Sequence, residues 1–290
     1  MNWDDEVDVV CTGSGIGGLA TAIAAVDAGL DVFVADAAGI QVDDDETKRY
    51  FRELSQNLLP GSHPEPTAAT PVRVIDDFAP APSRSQRVEP FTGSGLQAWA
   101  AGCLASPYGF LYSRVSERSE VTMRSSRGEP FEVTPIGSIE NGADLRKLIL
   151  SDWLCVQACN RGIDISMDSP LHRIVFEEGQ ARGAVVGTPW GPRAVRARRG
   201  VIVSTGGHDA RAVMPCDVSG YTSLLVSVVR RAPSRFGRVE LLTIRPPAPS
   251  PHRACRPAHR HLIDAARETR QRQSANRCYG ELHRYPPLGK

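Results

Sequence analysis

The chain has no run of about 18 apolar residues, the length that a membrane-crossing helix needs, so no transmembrane span is expected. Its start, Met1-Asn2-Trp3-Asp4-Asp5-Glu6, is acidic. It therefore lacks the basic opening of a secretory signal, and a soluble, cytoplasmic protein is the expectation. Cysteine is sparse: Cys11, Cys103, Cys155, Cys159, Cys216, Cys255 and Cys278 are scattered and odd in number. Cys155 and Cys159 are one helical turn apart, but no second pair completes a zinc set. They read as cysteines on a helix face, and no metal site is expected. Lysine is almost absent, with 3 residues against 31 arginines.

What is present falls into two unlike parts. The 290 residues are about two domains' worth, and 41% are apolar, enough for a substantial core. The net charge of +1 hides an asymmetry. Residues 219–290 hold 13 arginines, one lysine and four acidic residues, a net +10, which leaves −9 on residues 1–218. Such a division predicts a tail unlike the rest.

The most informative stretch runs from Val7 to Asp36. A short apolar run, Val7-Asp8-Val9-Val10-Cys11-Thr12, leads into Gly13-Ser14-Gly15-Ile16-Gly17-Gly18. Gly13, Gly15 and Gly18 form G-x-G-x-x-G, and the motif gains meaning from following a strand pattern and opening a helix pattern. Leu19, Ala22, Ile23 and Val26 make one apolar helix face, and Gly29 is a plausible stop. Val32 to Val34 is a second buried run that ends at Asp36. Gly13 allows the turn, Gly15 keeps side chains away from a pyrophosphate, and Gly18 lets the helix lie close to the sheet. The helix N-terminus attracts phosphate, and a carboxylate at Asp36 suits a ribose hydroxyl pair. NAD and FAD are both compatible with this stretch alone.

Further along, Thr47 to Leu59 reads as an amphipathic helix with Tyr50, Phe51, Leu54 and Leu58 on its apolar side. The acidic patch Asp43-Asp44-Asp45-Glu46 lies at its start. Residues 60–90 form a Pro/Ser/Ala-rich connector. Phe91 to Tyr112 is more apolar and aromatic, and reads as core. Val121 to Val133 has short strand-like pieces. Ala143 to Asn160 has helical spacing, and Ile163 to Met167, Leu171 to Phe176, Ala181 to Val186 and Arg193 to Arg198 read as strands. A buried strand, Gly200 to Ser204, ends in Thr205-Gly206-Gly207. Beyond residue 219, one apolar run, Tyr221 to Val229, precedes a segment rich in Arg, Pro and His.

Taken together, Val7 to Asp36 and Asn141 to Gly207 resemble the FAD-binding domain of the fumarate reductase/succinate dehydrogenase flavoprotein superfamily, in particular its 3-ketosteroid dehydrogenase-like branch. The matching residues are Gly13 to Ala20 with Asp36, then Gly162 to Ile165, Leu171 to Val175, and Arg198 to Gly207. The resemblance implies an α/β fold: a Rossmann-like FAD-binding domain with a ββα-type central sheet, interrupted by an insertion and followed by an irregular basic tail. It implies FAD rather than NAD. It places the pyrophosphate on Gly13, Ser14, Gly15, Gly17 and Gly18, and the adenosine ribose on Asp36. The adenine lies against the backbone at Leu171, and Thr205, Gly206 and Gly207 close over the dinucleotide. The implied layout is residues 1–40 and 141–218 as the two parts of the FAD domain, 41–140 as an insertion, and 219–290 as an Arg/Pro-rich tail.

Three family features are missing. No Gly/Ser/Thr-rich segment follows Asp36, no large substrate domain follows Gly207, and no Gly-rich flavin segment lies near the C-terminus. No residue is assigned as catalytic; Tyr108, Tyr112 and His208 are candidates by residue type alone. The tail's composition and its abrupt start near Val218 resemble a shifted reading frame in a GC-rich gene. Three functions follow. One is an FAD-dependent oxidoreductase passing a hydride between flavin and a small substrate, such as a steroid or a dicarboxylate. The second is an inactive truncated remnant of such a protein. The third is a nucleic-acid-binding protein that uses the basic tail.

Overall fold

The computed structural model describes residues 2–36, 42–56, 71–75, 94–113, 121–125, 129–140, 149–205 and 223–243. Their fold grows from the first stretch. β1 (Asp5–Thr12), α1 (Ile16–Asp27) and β2 (Val32–Ala35) form one β-α-β unit whose strands are parallel, with Val9 opposite Val32 and Thr12 opposite Ala35. Alanine and glycine dominate α1, and every residue from Ile16 to Ala25 is buried, so the helix lies deep between strands and a second helix. It ends in paired backbone bonds, Gly29 N–H to the Val26 carbonyl and Leu30 N–H to the Ala25 carbonyl, around the left-handed Gly29 expected as its stop.

The later elements close on this unit. α2 (Asp45–Gln56), β3 (Val72–Val74), α3 (Ser94–Leu104), β4 (Gly109–Tyr112), β5 (Val121–Arg124) and β6 (Pro130–Glu140) come next. They are followed by α4 (Leu150–Asn160), β7 (Ile165–Ser166), β8 (Leu171–Glu177), β9 (Gln180–Val186), β10 (Arg193–Ser204), β11 (Ser223–Arg230) and β12 (Phe236–Thr243). The result is a mixed α/β structure with one 12-stranded sheet among the described residues, ordered β5-β6-β11-β12-β4-β10-β1-β2-β7. β10, β1, β2 and β7 are mutually parallel, and β4, β12, β11 and β6 continue the sheet antiparallel. β8 and β9 form a hairpin that joins β10, and β3 adds to β12.

Strand alternation gives the sheet two apolar faces. Val9, Cys11 and Ile202 face α1 and α4, while Val10, Val201 and Val203 face α3 and the inner side of α2. Tyr50, Phe51 and Leu54 of α2 pack against the second face, as its amphipathic spacing predicts.

The tail differs from expectation. Ser223–Arg230 and Phe236–Thr243 are buried strands inside the sheet, not irregular chain. The physical reason is an ion cluster that disguises β12 as polar. Glu240 is almost wholly buried, and both its oxygens accept from the Arg73 guanidinium, at 2.5 and 2.8 Å. Arg238 donates to the same carboxylate at 2.8 Å. Burial pushes the Glu240 carboxyl up, but the two guanidiniums outweigh it and hold it below the usual carboxylate range. The expected irregular structure is therefore corrected for the strands Ser223–Arg230 and Phe236–Thr243; residues 244–290 lie outside the described residues.

The insertion is not set apart either. β4 lies between β10 and β12, so the described strands of residues 71–140 share the sheet of the first β-α-β unit. The pieces read as separate strands at Arg193 to Arg198 and Gly200 to Ser204 are one strand, β10. The expected helices from Thr47 and Ala143 are seen as Asp45–Gln56 and Leu150–Asn160, with 57–59 and 143–148 outside the described residues. No helix among the described residues is long and apolar enough to cross a membrane.

Candidate functional site

The parallel strands β1, β2 and β10 end together, and the glycine loop sits at that edge. Gly13 leaves β1 at φ +96°, a backbone region that favours glycine, and its N–H donates to the Ala35 carbonyl at 2.7 Å. This bond ties the loop to the end of β2. A side chain at Gly18 would place its Cβ 1.9 Å from the Gly13 carbonyl oxygen, and one at Gly17 would place it 2.4 Å from the Gly109 carbonyl oxygen. The glycines at 17 and 18 thus let α1 press against its own loop and against β4. Gly15 is the N-cap, no side chain caps the helix, and no acidic residue lies in its first turn. The first-turn N–H groups have no acceptor within the helix, so the helix start is suited to a negative ligand.

Asp36 reaches this loop from the end of β2. It is buried, and its Oδ1 accepts from the Ser14 hydroxyl at 2.5 Å and from the Ser14 N–H at 3.3 Å. Its own backbone is held on the opposite side: its N–H donates to the Ser166 carbonyl at 2.8 Å, and its carbonyl accepts from the Ser169 N–H at 2.6 Å. The connector from β7 to β8 therefore fixes Asp36, and Leu171 follows two residues after Ser169 as the buried first residue of β8.

β10 closes the site from the other flank. The Thr205 N–H donates to the Gly109 carbonyl at 3.1 Å, and its hydroxyl donates to the Cys103 carbonyl at 3.5 Å. Ser204 lies beneath the glycine loop, its Cβ 3.0 Å from where a Cβ on Gly13 would stand. Its buried hydroxyl has no hydrogen-bond partner among the described residues.

The structure thus brings Gly13, Ser14, Gly15, Gly17, Gly18, Asp36 and Thr205 to one edge of the sheet, with Leu171 just beyond Asp36. Gly206 and Gly207 lie outside the described residues, as does His208. Tyr108 and Tyr112 are core residues. Tyr108 is fully buried, and the Tyr112 ring lies edge-on to Phe110 at 5.1 Å with the Arg230 guanidinium 4.8 Å above it. Cys103 is no nucleophile for this site, because burial pushes its thiol well up. Cys155 is buried on α4 and Cys159 exposed; no group of metal-ligating side chains occurs among the described residues. Sequence reasoning missed Ser204 and Gly109. Neither carries a spacing signature, since each gains its place only when β4 pairs with β10.

The residues present suit a dinucleotide. An uncapped helix start, a loop without side chains, a buried carboxylate and an orphaned hydroxyl under the loop are complementary to a pyrophosphate and a ribose.

No protein-family model matches the chain, and no characterised protein matches its sequence. Among solved structures, the 3-ketosteroid-Δ4-(5α)-dehydrogenase from Rhodococcus jostii RHA1 is 18% identical, over 70% of this chain and 46% of its own, at a TM-score of 0.33. An open conformation of a flavocytochrome c3 fumarate reductase is 17% identical over 68% of this chain and 33% of its own, at a TM-score of 0.31. A geranylgeranyl bacteriochlorophyll reductase-like protein from Thermoplasma acidophilum is 13% identical over 83% of this chain and 57% of its own, at a TM-score of 0.29. The chain spans less than two thirds of the length of each. The likeness is one of fold at low TM-score, and the functional reading rests on the glycine loop and its neighbours.

Proposed function

We propose that the chain is the dinucleotide-holding part of an FAD-dependent oxidoreductase, with a Rossmann-like unit built from residues 1–40 and 141–218. The observation that supports it is the meeting of Asp36, the uncapped start of α1 and the end of β10 at one edge of parallel strands. The N–H groups of the first turn of α1 bind the pyrophosphate oxygens. The Asp36 carboxylate accepts from the adenosine ribose hydroxyls and shares its oxygens with Ser14, so that it positions the loop and the ribose together. The backbone at Leu171 borders the adenine, and Thr205, Gly206 and Gly207 close over the dinucleotide. When bound, FAD supplies an isoalloxazine able to exchange hydride with a small organic substrate; by the resemblance, that substrate is a steroid or a dicarboxylate.

Purified protein tests the reading directly. A yellow preparation with absorbance at the flavin bands, and FAD released on denaturation, is the expected result. A folded, colourless protein that takes up no added FAD would instead fit an inactive remnant.

A further inference from the structure

A partly open cavity lies on the face of the sheet away from α1. It is a cavity of about 230 Å³ bordered by Tyr50 of α2, Ser113 at the end of β4, Phe176 and Ala181 of the β8–β9 hairpin, and Arg235 in the turn between β11 and β12. Four separate segments build it, and the hairpin turn at its rim is held by Glu178 and Gly179, both at positive φ.

The walls are of two kinds. Tyr50 and Phe176 pack as rings tilted by 58° with centroids 5.1 Å apart, which gives an apolar side. The polar side is Arg235 beside the Tyr50 hydroxyl. Arg235 Nη1 is fixed by the Ser113 carbonyl at 3.2 Å and the Tyr50 oxygen at 3.3 Å. Ser113 is itself anchored, because its hydroxyl accepts from the Val201 N–H at 2.8 Å. With Nη1 occupied, the side-on edge made by Nε and Nη2 has no partner among the described residues. That edge is the one that grips a carboxylate with two parallel bonds. The Tyr50 oxygen accepts from Arg235, which leaves its own O–H to donate. Burial pushes the phenol up despite the neighbouring guanidinium, so the proton stays on at neutral pH.

We propose that this cavity binds a small carboxylate with an apolar body, with the Arg235 fork and the Tyr50 hydroxyl on the carboxylate and the Tyr50 and Phe176 rings against the apolar part. Its size excludes a dinucleotide, since drug-sized ligands fill pockets of about 300–1,000 Å³. One fixed guanidinium with a fork to spare suits a monocarboxylate better than a phosphate ester with its larger charge. The cavity shares no lining residue with the proposed dinucleotide site, whose residues gather at the edge where β1, β2 and β10 end.

Benzoate, benzamide and acetate are the probes, titrated into the full chain and followed by calorimetry and by amide chemical shifts. Benzoate is expected to bind saturably. Benzamide, of the same shape without the charge, should bind at least about 10-fold more weakly, the loss expected when a charged hydrogen-bonded pair becomes neutral. Acetate should be weaker for want of a ring. Arg235→Gln should reduce benzoate to the level of benzamide, and Tyr50→Phe should weaken benzoate with less effect on benzamide. Arg235 is exposed and Tyr50 partly buried, and unchanged melting temperatures would show that the variants fold. Absence of saturable benzoate binding to the wild type, equal affinity in Arg235→Gln, or displacement of benzoate by FAD would each overturn the proposal. Binding of benzoate by a protein that takes no FAD would leave it standing while removing the dinucleotide reading.

Discussion

At the residue scale, single atoms decide whether the loop can form. A methyl group at position 18 would stand 1.9 Å from the Gly13 carbonyl oxygen, well inside contact distance. Gly18→Ala should therefore destabilise the protein by about 1–3 kcal/mol or more, the usual cost of forcing atoms into a packed site, as read from urea unfolding. Gly29→Ala offers the contrast. A Cβ there meets nothing within 4 Å, and only its positive φ resists substitution. Asp8 gives a residue-scale pH effect. The Arg198 guanidinium holds its carboxyl down at about 2, against an ordinary 3.8, overcoming the opposing desolvation with help from the Asp31 N–H and from Arg199. The folded value is depressed, so the contribution of Asp8 to stability is complete above about pH 4 and is lost as pH falls through its folded value. Arg198→Ala should return the Asp8 titration towards the ordinary range by NMR, and an unmoved midpoint would show that the pair does not set it.

At the scale of elements, the buried carboxylate of Glu240 joins β3 to β12 through Arg73 and holds Arg238 on the same strand. Removing its charge leaves two guanidiniums without their partner. Glu240→Gln should cost about 3–5 kcal/mol, the range for breaking a buried pair, in chemical denaturation. The sign with pH is fixed as well. The folded carboxyl lies below its unfolded value, so the stabilisation holds above the unfolded pKa and fades as pH falls through the folded one. The variant should thus lose less stability on acidification than the wild type. β12 also shows why sequence reading faltered here. Phe236-Gly237-Arg238-Val239-Glu240-Leu241 breaks its apolar pattern with two charges, and only the distant Arg73 makes them compatible with burial. By contrast, α1 and β2 were legible because alanine, leucine and valine carry the periodicity by themselves. The glycine loop and Asp36 were legible for the same reason: their spacing lies within one local β-α-β unit. Ser204 and Gly109 depend on the pairing of β4 with β10, which no local spacing encodes.

At the scale of the whole molecule, the sheet continues from the parallel strands at the glycine loop through β4 and β12 to β11 and β6. Val226, Val228, Val239 and Leu241 of the last hairpin belong to the same apolar cluster as Leu19 and Ile23 of α1. The full chain should therefore unfold cooperatively, whereas one ending at Val218 exposes β4 and β6 and should aggregate or fail to unfold cooperatively. Circular dichroism melts of the full and the shortened chain check this, and equal stability would contradict the shared core.

The central claim is that one edge of this sheet holds FAD through the glycine loop and Asp36. Its most direct test is a titration of FAD, by fluorescence and calorimetry, into the wild type and Asp36→Asn. One FAD per chain is expected in the wild type. Binding should be about 10–100-fold weaker in the variant, the worth of one to two charged hydrogen bonds, and ADP should compete for the site. A folded wild type without saturable FAD binding, or an affinity indifferent to Asp36, would contradict it.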